Sequence, residues 1–163
     1  NYYLICVGKE KGKEQLQSLS DYSPSEFKIL YQNKLVLSKT NLEFSKECWE
    51  LYVENNIEKL KIFDFNQSSK FKYLQLAINQ HLSRFPSENG LNQIENKILD
   101  IINSNSFTKN EIVKNLLIWQ HKETVYGFGD MQYFQYFNKL EKYYTIKGEK
   151  YYLNESGYSK INQ

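Results

Sequence analysis

Apolar residues recur at helical spacing along most of the chain, and clear turn signals separate the runs. Residues 2–7 form a short apolar run closed by Gly8, which predicts a strand. Residues 9–13 read as a charged loop. Ser23-Pro24-Ser25-Glu26 has the form of a capping box with proline at the first helical position, and it predicts a short helix through Leu30 and Tyr31. Thr40-Asn41-Leu42-Glu43 predicts a second helix start. The helix after it sets Leu42, Ser45, Cys48, Trp49 and Tyr52 on one face, with Trp49 expected in the core, and Asn55-Asn56 ends it. Ile57, Leu60 and Ile62 continue as a short turn or helix. Ser68-Ser69 then caps a helix carrying Phe71, Leu74, Ile78, Leu82 and Phe85 in register, which Pro86 stops.

Ser87-Glu88-Asn89-Gly90 is the clearest punctuation in the chain and predicts a subdomain boundary. It divides a helical segment with one N-terminal strand, residues 1–90, from a second unit, residues 91–163. In the second unit Leu91, Ile94, Ile98, Ile101 and Ile102 make a stripe of helical period. Thr108 caps the next helix, with Glu111 three residues on, and Ile112, Val113, Leu116 and Leu117 form its stripe, leaving Trp119 off it. Gly127-Phe128-Gly129 breaks the chain. Asp130 is placed to cap a third helix, 130–142, through Phe134, Phe137 and Leu140. Residues 143–146 and 150–153 read as two strands around Lys147-Gly148-Glu149, a hairpin spanning 143–153. Three helices and a hairpin in this order predict a winged-helix-like unit, a variant of the helix-turn-helix. The expected fold is mainly α with a small β-hairpin, the helical N-terminal half packed on the winged-helix-like unit. A strand at residues 2–7 is unstable unpaired, so the halves are expected to share one core.

Composition narrows the class without naming a function. The chain has 163 residues, 40% hydrophobic and 25% charged, which reads as a soluble globular protein. No run is long and apolar enough for a transmembrane helix, and the N-terminus lacks a signal-peptide pattern, so a cytoplasmic protein without a membrane partner is expected. The start at Asn1, directly before a strand, reads as entry in mid-protein. Cys6 and Cys48 lie in apolar contexts, which favours two buried thiols over one disulfide. Residues 1–90 hold 12 basic and 11 acidic residues, and residues 91–163 hold 9 and 8. Neither half has the basic excess of a strong nucleic-acid binder. Twenty of the 21 basic residues are lysine, and asparagine, isoleucine and tyrosine abound, a bias that AT-rich codons also produce.

Three motifs point further. The run from His81 to Leu91 (HLSRFPSENGL), followed by Glu95 and Ile98-Leu99, is the first. Gly129-Asp130-Met131-Gln132-Tyr133-Phe134 with Leu140 is the second, and Leu153-Asn154-Glu155-Ser156-Gly157 the third. Together they resemble the C-terminal region of a bacterial family defined only as a domain of unknown function. The layout around Trp49 fits the same pattern, so the resemblance covers roughly residues 40–163. It implies a separate N-terminal domain ahead of this region, and no activity and no functional residue come with it. The many tyrosines around the third helix and hairpin depart from the family pattern.

No catalytic or cofactor motif stands out, and no cofactor is expected. His81 and His121 are the only histidines, and neither has Cys or acidic neighbours at metal-ligand spacing. Gly127-Phe128-Gly129-Asp130 before a helix suggests a phosphate cradle, but no Lys follows and Asp130 repels an anion, so a turn with its cap is the plainer reading. No serine has a base at motif spacing, and the acids form no pair in apolar surroundings. Arg84, the lone arginine, lies close to Glu88 and Glu95 in sequence, and a structural ion pair is expected there.

The candidate surface is the third helix and the wing: Gln132, Tyr133, Tyr136 and Lys139 on the exposed helix face, Lys147 and Lys150 on the hairpin. Gln reads adenine and Tyr contacts phosphate, yet the 130–142 helix carries no net charge. Aromatic residues without charge suit a protein interface. The expectation is therefore an interaction module, with the protein's own N-terminal domain or another chain as partner. DNA binding through helix 130–142 and the 143–153 wing is the alternative. Strand alternation sends one ring of each adjacent tyrosine pair, Tyr143-Tyr144 and Tyr151-Tyr152, inward and the other outward. An exposed tyrosine patch near the third helix would carry the interaction.

Overall fold

Two stretches of chain build separate cores. A computed structural model describes residues 1–8 and 18–162, and the charged loop expected at residues 9–13 lies outside the described residues. The chain divides into Asn1–Leu82 and Ser83–Gln163, so the break falls before the 83–92 turn and not between residues 90 and 91. The fold is mainly helical with a small antiparallel hairpin, as the hydrophobic pattern predicts.

The first unit contains β1 (Tyr2–Leu4), α1 (Pro24–Gln32), β2 (Leu35–Leu37), α2 (Lys39–Glu54), α3 (Ile57–Ile62) and α4 (Leu74–Leu82). Ser23 caps α1 as expected, accepting from the Glu26 amide while the Glu26 carboxylate accepts from the Ser23 amide. The strand near the N-terminus is shorter than residues 2–7 and is not alone. It pairs antiparallel with β2, Tyr3 opposite Val36. The partner escaped sequence reading because Leu35-Val36-Leu37 is too short for a periodic signal.

Four other expectations for this unit are corrected. Ser38, two residues before Thr40, caps α2, with its hydroxyl accepting from the Asn41 amide. The buried stripe of α2 is then Phe44 and Cys48, with Leu51 half-buried. Trp49 lies one position past Cys48, about 100° around the helix, and is 63% exposed. The helix expected from Ser68 is split into a 3₁₀ turn at Ser69–Phe71 and α4, which ends before Pro86 is reached. Phe44, Cys48, Leu60, Phe65 and Ile78 form this unit's core. Cys48 is buried and Cys6 exposed, both as free thiols, so one of the two expected buried thiols is not buried.

The second unit contains α5 (Gln93–Ser104), α6 (Lys109–Glu123), α7 (Asp130–Leu140), β3 (Tyr144–Lys147), β4 (Lys150–Leu153) and α8 (Glu155–Ile161). The 83–92 turn belongs here because its polar groups close on α5. The Ser87 hydroxyl donates to the Leu91 carbonyl, and the Asn89 amide to Asn96 Oδ1. Gly90 takes φ +74°, the left-handed conformation that favours glycine. Asn92 caps α5 in a reciprocal box with Glu95, and Thr108 does the same for α6 with Glu111. The core runs from Leu91 through Ile94, Ile98, Ile112, Leu116, Phe137 and Leu140 to Leu153, so each unit has its own core and the expected single core is replaced by two. Trp119 lies on the α6 stripe and is buried, because residues 112, 116 and 119 share one face.

Strands β3 and β4 pair Tyr144 with Leu153 and Lys147 with Lys150, and Gly148 turns the hairpin at φ +64°. A third extended segment joins them. Thr108 bridges Lys150, and the Tyr151 amide donates to the Phe107 carbonyl at 2.9 Å. The stretch between α5 and α6 thus ties the hairpin to the helices. Helix α8 was not expected. Asn154 caps it, and Gly157 lets it approach so closely that a Cβ there would lie 2.1 Å from the Tyr143 carbonyl oxygen.

Candidate interaction surface on helix α7 and the hairpin

The orientation of α7 is set by one side chain. Gln120 on α6 accepts from the Phe128 amide at 2.9 Å and from the Tyr133 hydroxyl at 2.8 Å, while its own amide donates to the Phe128 carbonyl at 3.0 Å. These bonds fix the α6–α7 turn and draw Tyr133 inward. Tyr133 is fully buried, and burial, with Tyr126 and Tyr136 nearby, pushes its hydroxyl well above the usual tyrosine range. The inward stripe of α7 is therefore Tyr133, Phe137 and Leu140. Tyr133 is a core residue and not a surface one, which removes it from the expected contact face. Asp130 is the first residue of the helix rather than its cap. Gly129 holds the cap position, and its amide donates to Gln132 Oε1 at 2.6 Å.

The outward face carries Met131, Gln132, Gln135, Asn138 and Lys139. Tyr136 is half-buried, and burial raises its hydroxyl pKa against the pull of the Arg84 guanidinium beside it. A shallow cleft of about 270 Å³ opens here, lined by Arg84, Phe128, Gln132, Gln135, Tyr136 and Lys139. Arg84 makes no ion pair with Glu88 or Glu95 as expected; it lies over the Phe128 ring at 5.7 Å, and Glu95 is engaged in capping α5.

On the hairpin, alternation holds for Tyr151-Tyr152, whereas Tyr143 falls in a 3₁₀ turn (Glu141–Tyr143) that replaces the expected end of the third helix and start of the strand. Tyr144 and Tyr151 are buried, and burial raises both hydroxyls, Tyr144 to about 12. Tyr143 is half-buried and Tyr152 exposed. Lys147 and Lys150 share the outer face with Tyr152, and Lys147 lies over the Tyr152 ring at 5.8 Å. Thr108 holds the Glu111 carboxyl below its usual range, with Lys150 and Lys114 adding to the effect. The exposed tyrosine patch is thus absent, for Tyr133 is core and Tyr136 half-covered. Of the six expected residues, Gln132, Tyr136 and Lys139 line the cleft together, Lys147 and Lys150 lie on the hairpin, and Tyr133 belongs to neither.

Sequence reading missed Gln135 and Asn138 as surface groups, and took Arg84 for an ion-pair residue. The signal was available in the polar residues. Gln132, Gln135, Asn138, Lys139 and Lys142 recur at three- and four-residue spacing and mark the solvent face more reliably than the aromatics do. Neither Gln135 nor Asn138 hydrogen-bonds to another described residue, and none of Arg84, Lys139, Lys142, Lys147 and Lys150 has a carboxylate within 4 Å among the described residues. Among the same residues no His, Cys, Asp and Glu are grouped to hold a metal, and no helix is long and apolar enough to cross a membrane. Comparison with protein-family models, curated proteins and solved structures found no match for the chain.

Proposed function

We propose that Ser83–Gln163 is a winged-helix unit that binds double-stranded nucleic acid, with α7 as its recognition helix and β3–β4 as its wing. Three helices, a single β-bridge from the segment between the first two, and a closing hairpin support the winged-helix reading. One observation carries the choice of partner: among the described residues the side-chain amides of Gln135 and Asn138 on the outward face of α7 have no hydrogen-bond partner, and Arg84, Lys139 and Lys142 have no carboxylate within 4 Å. Amide side chains pair with adenine in the major groove, and lysine and arginine hold phosphates. Residues 83–163 contain ten basic residues (Arg84 and nine lysines) and nine acidic ones, a net charge of +1. Binding should therefore be weak at physiological salt and steeply salt-dependent. If Arg84, Lys139, Lys142, Lys147 and Lys150 all reach phosphates, the plot of log affinity against log salt has a slope of about −4.5.

The expectation of a protein interface rested on the even charge split and on exposed tyrosines; the charge split stands, and burial of Tyr133 weakens the second support. It keeps one observation of its own: Met131, Ile146 and Tyr152 are exposed at the end of α7 and on the hairpin. Fluorescence anisotropy of a labelled duplex, titrated with the full chain from about 25 to 200 mM salt, separates the two readings. Nucleic-acid binding predicts saturable, salt-sensitive association. A flat titration at the lowest salt with the protein still folded leaves the protein-contact reading.

A further inference from the structure

The cleft beside α7 has a donor set that matches one chemical group. Arg84 and Lys139 approach it from two elements, the guanidinium beside the Tyr136 hydroxyl and the Lys139 ammonium 5.6 Å from the Tyr136 ring centre. The guanidinium lies over the Phe128 ring at 5.7 Å, and both side chains line the cleft. Gln132 has its carbonyl oxygen committed to the Gly129 amide, so only its NH₂ remains to offer. Gln135 adds a second amide, and no carboxylate lines the cleft. Two cations, two amides and a hydroxyl surround one opening, and the nearest negative charge, Glu95, acts on the Tyr136 hydroxyl from outside the lining.

We propose that this cleft binds a phosphate group, whose three or more acceptor oxygens use both cations and the Gln132 NH₂ at once. This rests in part on the proposed nucleic-acid function, because the phosphate has two possible sources: the backbone of a bound duplex, or a small phosphorylated molecule. Arg84 lies outside the α7 helix, so its contact would fix the register of that helix against its ligand.

The test uses the full chain with Arg84→Gln and Lys139→Gln, both exposed positions where substitution leaves the core intact. In the first arm, the melting midpoint is measured in inorganic phosphate and in chloride at equal ionic strength. In the second, the salt dependence of duplex affinity is measured. If the ligand is a duplex phosphate, each variant should flatten the salt slope by about 0.9. If it is a free phosphate, inorganic phosphate should raise the wild-type midpoint above that in chloride, the increment should vanish in both variants, and duplex binding should be absent or unchanged. That second result keeps the phosphate site while removing the nucleic-acid reading from it. If neither arm responds to either substitution, the cleft is not a phosphate site, even where the wild-type chain binds duplex.

Discussion

The two units are nearly equal in length, yet they use their apolar residues in opposite ways. In Ser83–Gln163 the stripes of α5, α6 and α7 converge with both hairpin strands on one core. Among the described residues of Asn1–Leu82, Phe44, Cys48, Leu60, Phe65 and Ile78 are buried into a cluster, while Tyr2, Tyr3, Phe27, Ile29, Tyr31, Val36, Trp49, Val53 and Ile62 remain exposed. Helix α1 buries no residue at all. Lys39–Glu43, Lys46–Glu50, Lys59–Glu54 and Lys61–Glu58 all lie on the surface of the first unit, where such pairs contribute at most about 1 kcal/mol each. Similar hydrophobic content therefore does not mean similar stability. What counts is whether stripes on consecutive elements face one another, and in the second unit they do.

The largest effect should come from separating the units. A fragment of residues 83–163 is expected to fold and to unfold in one cooperative urea transition, followed through Trp119, its only tryptophan. A fragment of residues 1–82 should show a shallow transition or none. If the second fragment is the more stable, the comparison fails.

Within the second unit, Gly157→Ala should cost about 3 kcal/mol or more in chemical denaturation, since the added methyl meets the Tyr143 backbone carbonyl, which cannot swing aside. Gln120→Leu should cost about 2 kcal/mol, because it strands the Phe128 amide and carbonyl and the Tyr133 hydroxyl. The matching change in the first unit, Trp49→Ser, removes an exposed ring and should stay within about 0.5 kcal/mol. An equal loss from Trp49→Ser and Gln120→Leu would show that Trp49 is covered in solution.

Alkaline pH separates the units more gently. Burial raises the Cys48 thiol from 9.0 to about 11 and the Tyr144 hydroxyl from 10.0 to about 12. In both groups the fold favours the protonated form. The stabilisation is whole below the unfolded value and is lost as pH rises through the folded one, between 9 and 11 for Cys48 and between 10 and 12 for Tyr144. Thermal melts by circular dichroism should show the first unit weakening about one pH unit before the second, and Cys48→Ala should remove the earlier loss of stability with pH.

Much of this was legible because local chemistry and packing agree in α1, α5 and α6. Ser23 with Glu26 and Thr108 with Glu111 mark starts, and Ile94, Ile98 and Ile102 mark a face. Errors arose where a partner distant in sequence decided the outcome. Leu35-Val36-Leu37 becomes a strand only because Tyr2–Leu4 lies beside it. Helix α8 accepts a glycine because close approach to Tyr143 requires one. Tyr133 and Phe134 are adjacent on α7, and the spacing to Phe137 and Leu140 suits either as the inward residue. The hydrogen bond from Tyr133 to Gln120 goes with the inward choice, and no pattern within α7 reveals it. Of the α7 residues expected to face out, Gln132 and Lys139 do, Tyr136 is half-buried and Tyr133 alone is core.

The most direct test of the account is a map of where duplex nucleic acid touches the protein, by ¹⁵N-resolved NMR of side-chain signals in the full chain. Trp49 supplies an exposed control in the first unit. Titration with duplex should shift the Gln132, Gln135 and Asn138 amides and the backbone signals of Lys147–Lys150, leaving the Trp49 indole unmoved. Shifts gathered around Trp49, Tyr52 and Val53, with the α7 amides unchanged, would contradict the assignment of the binding face.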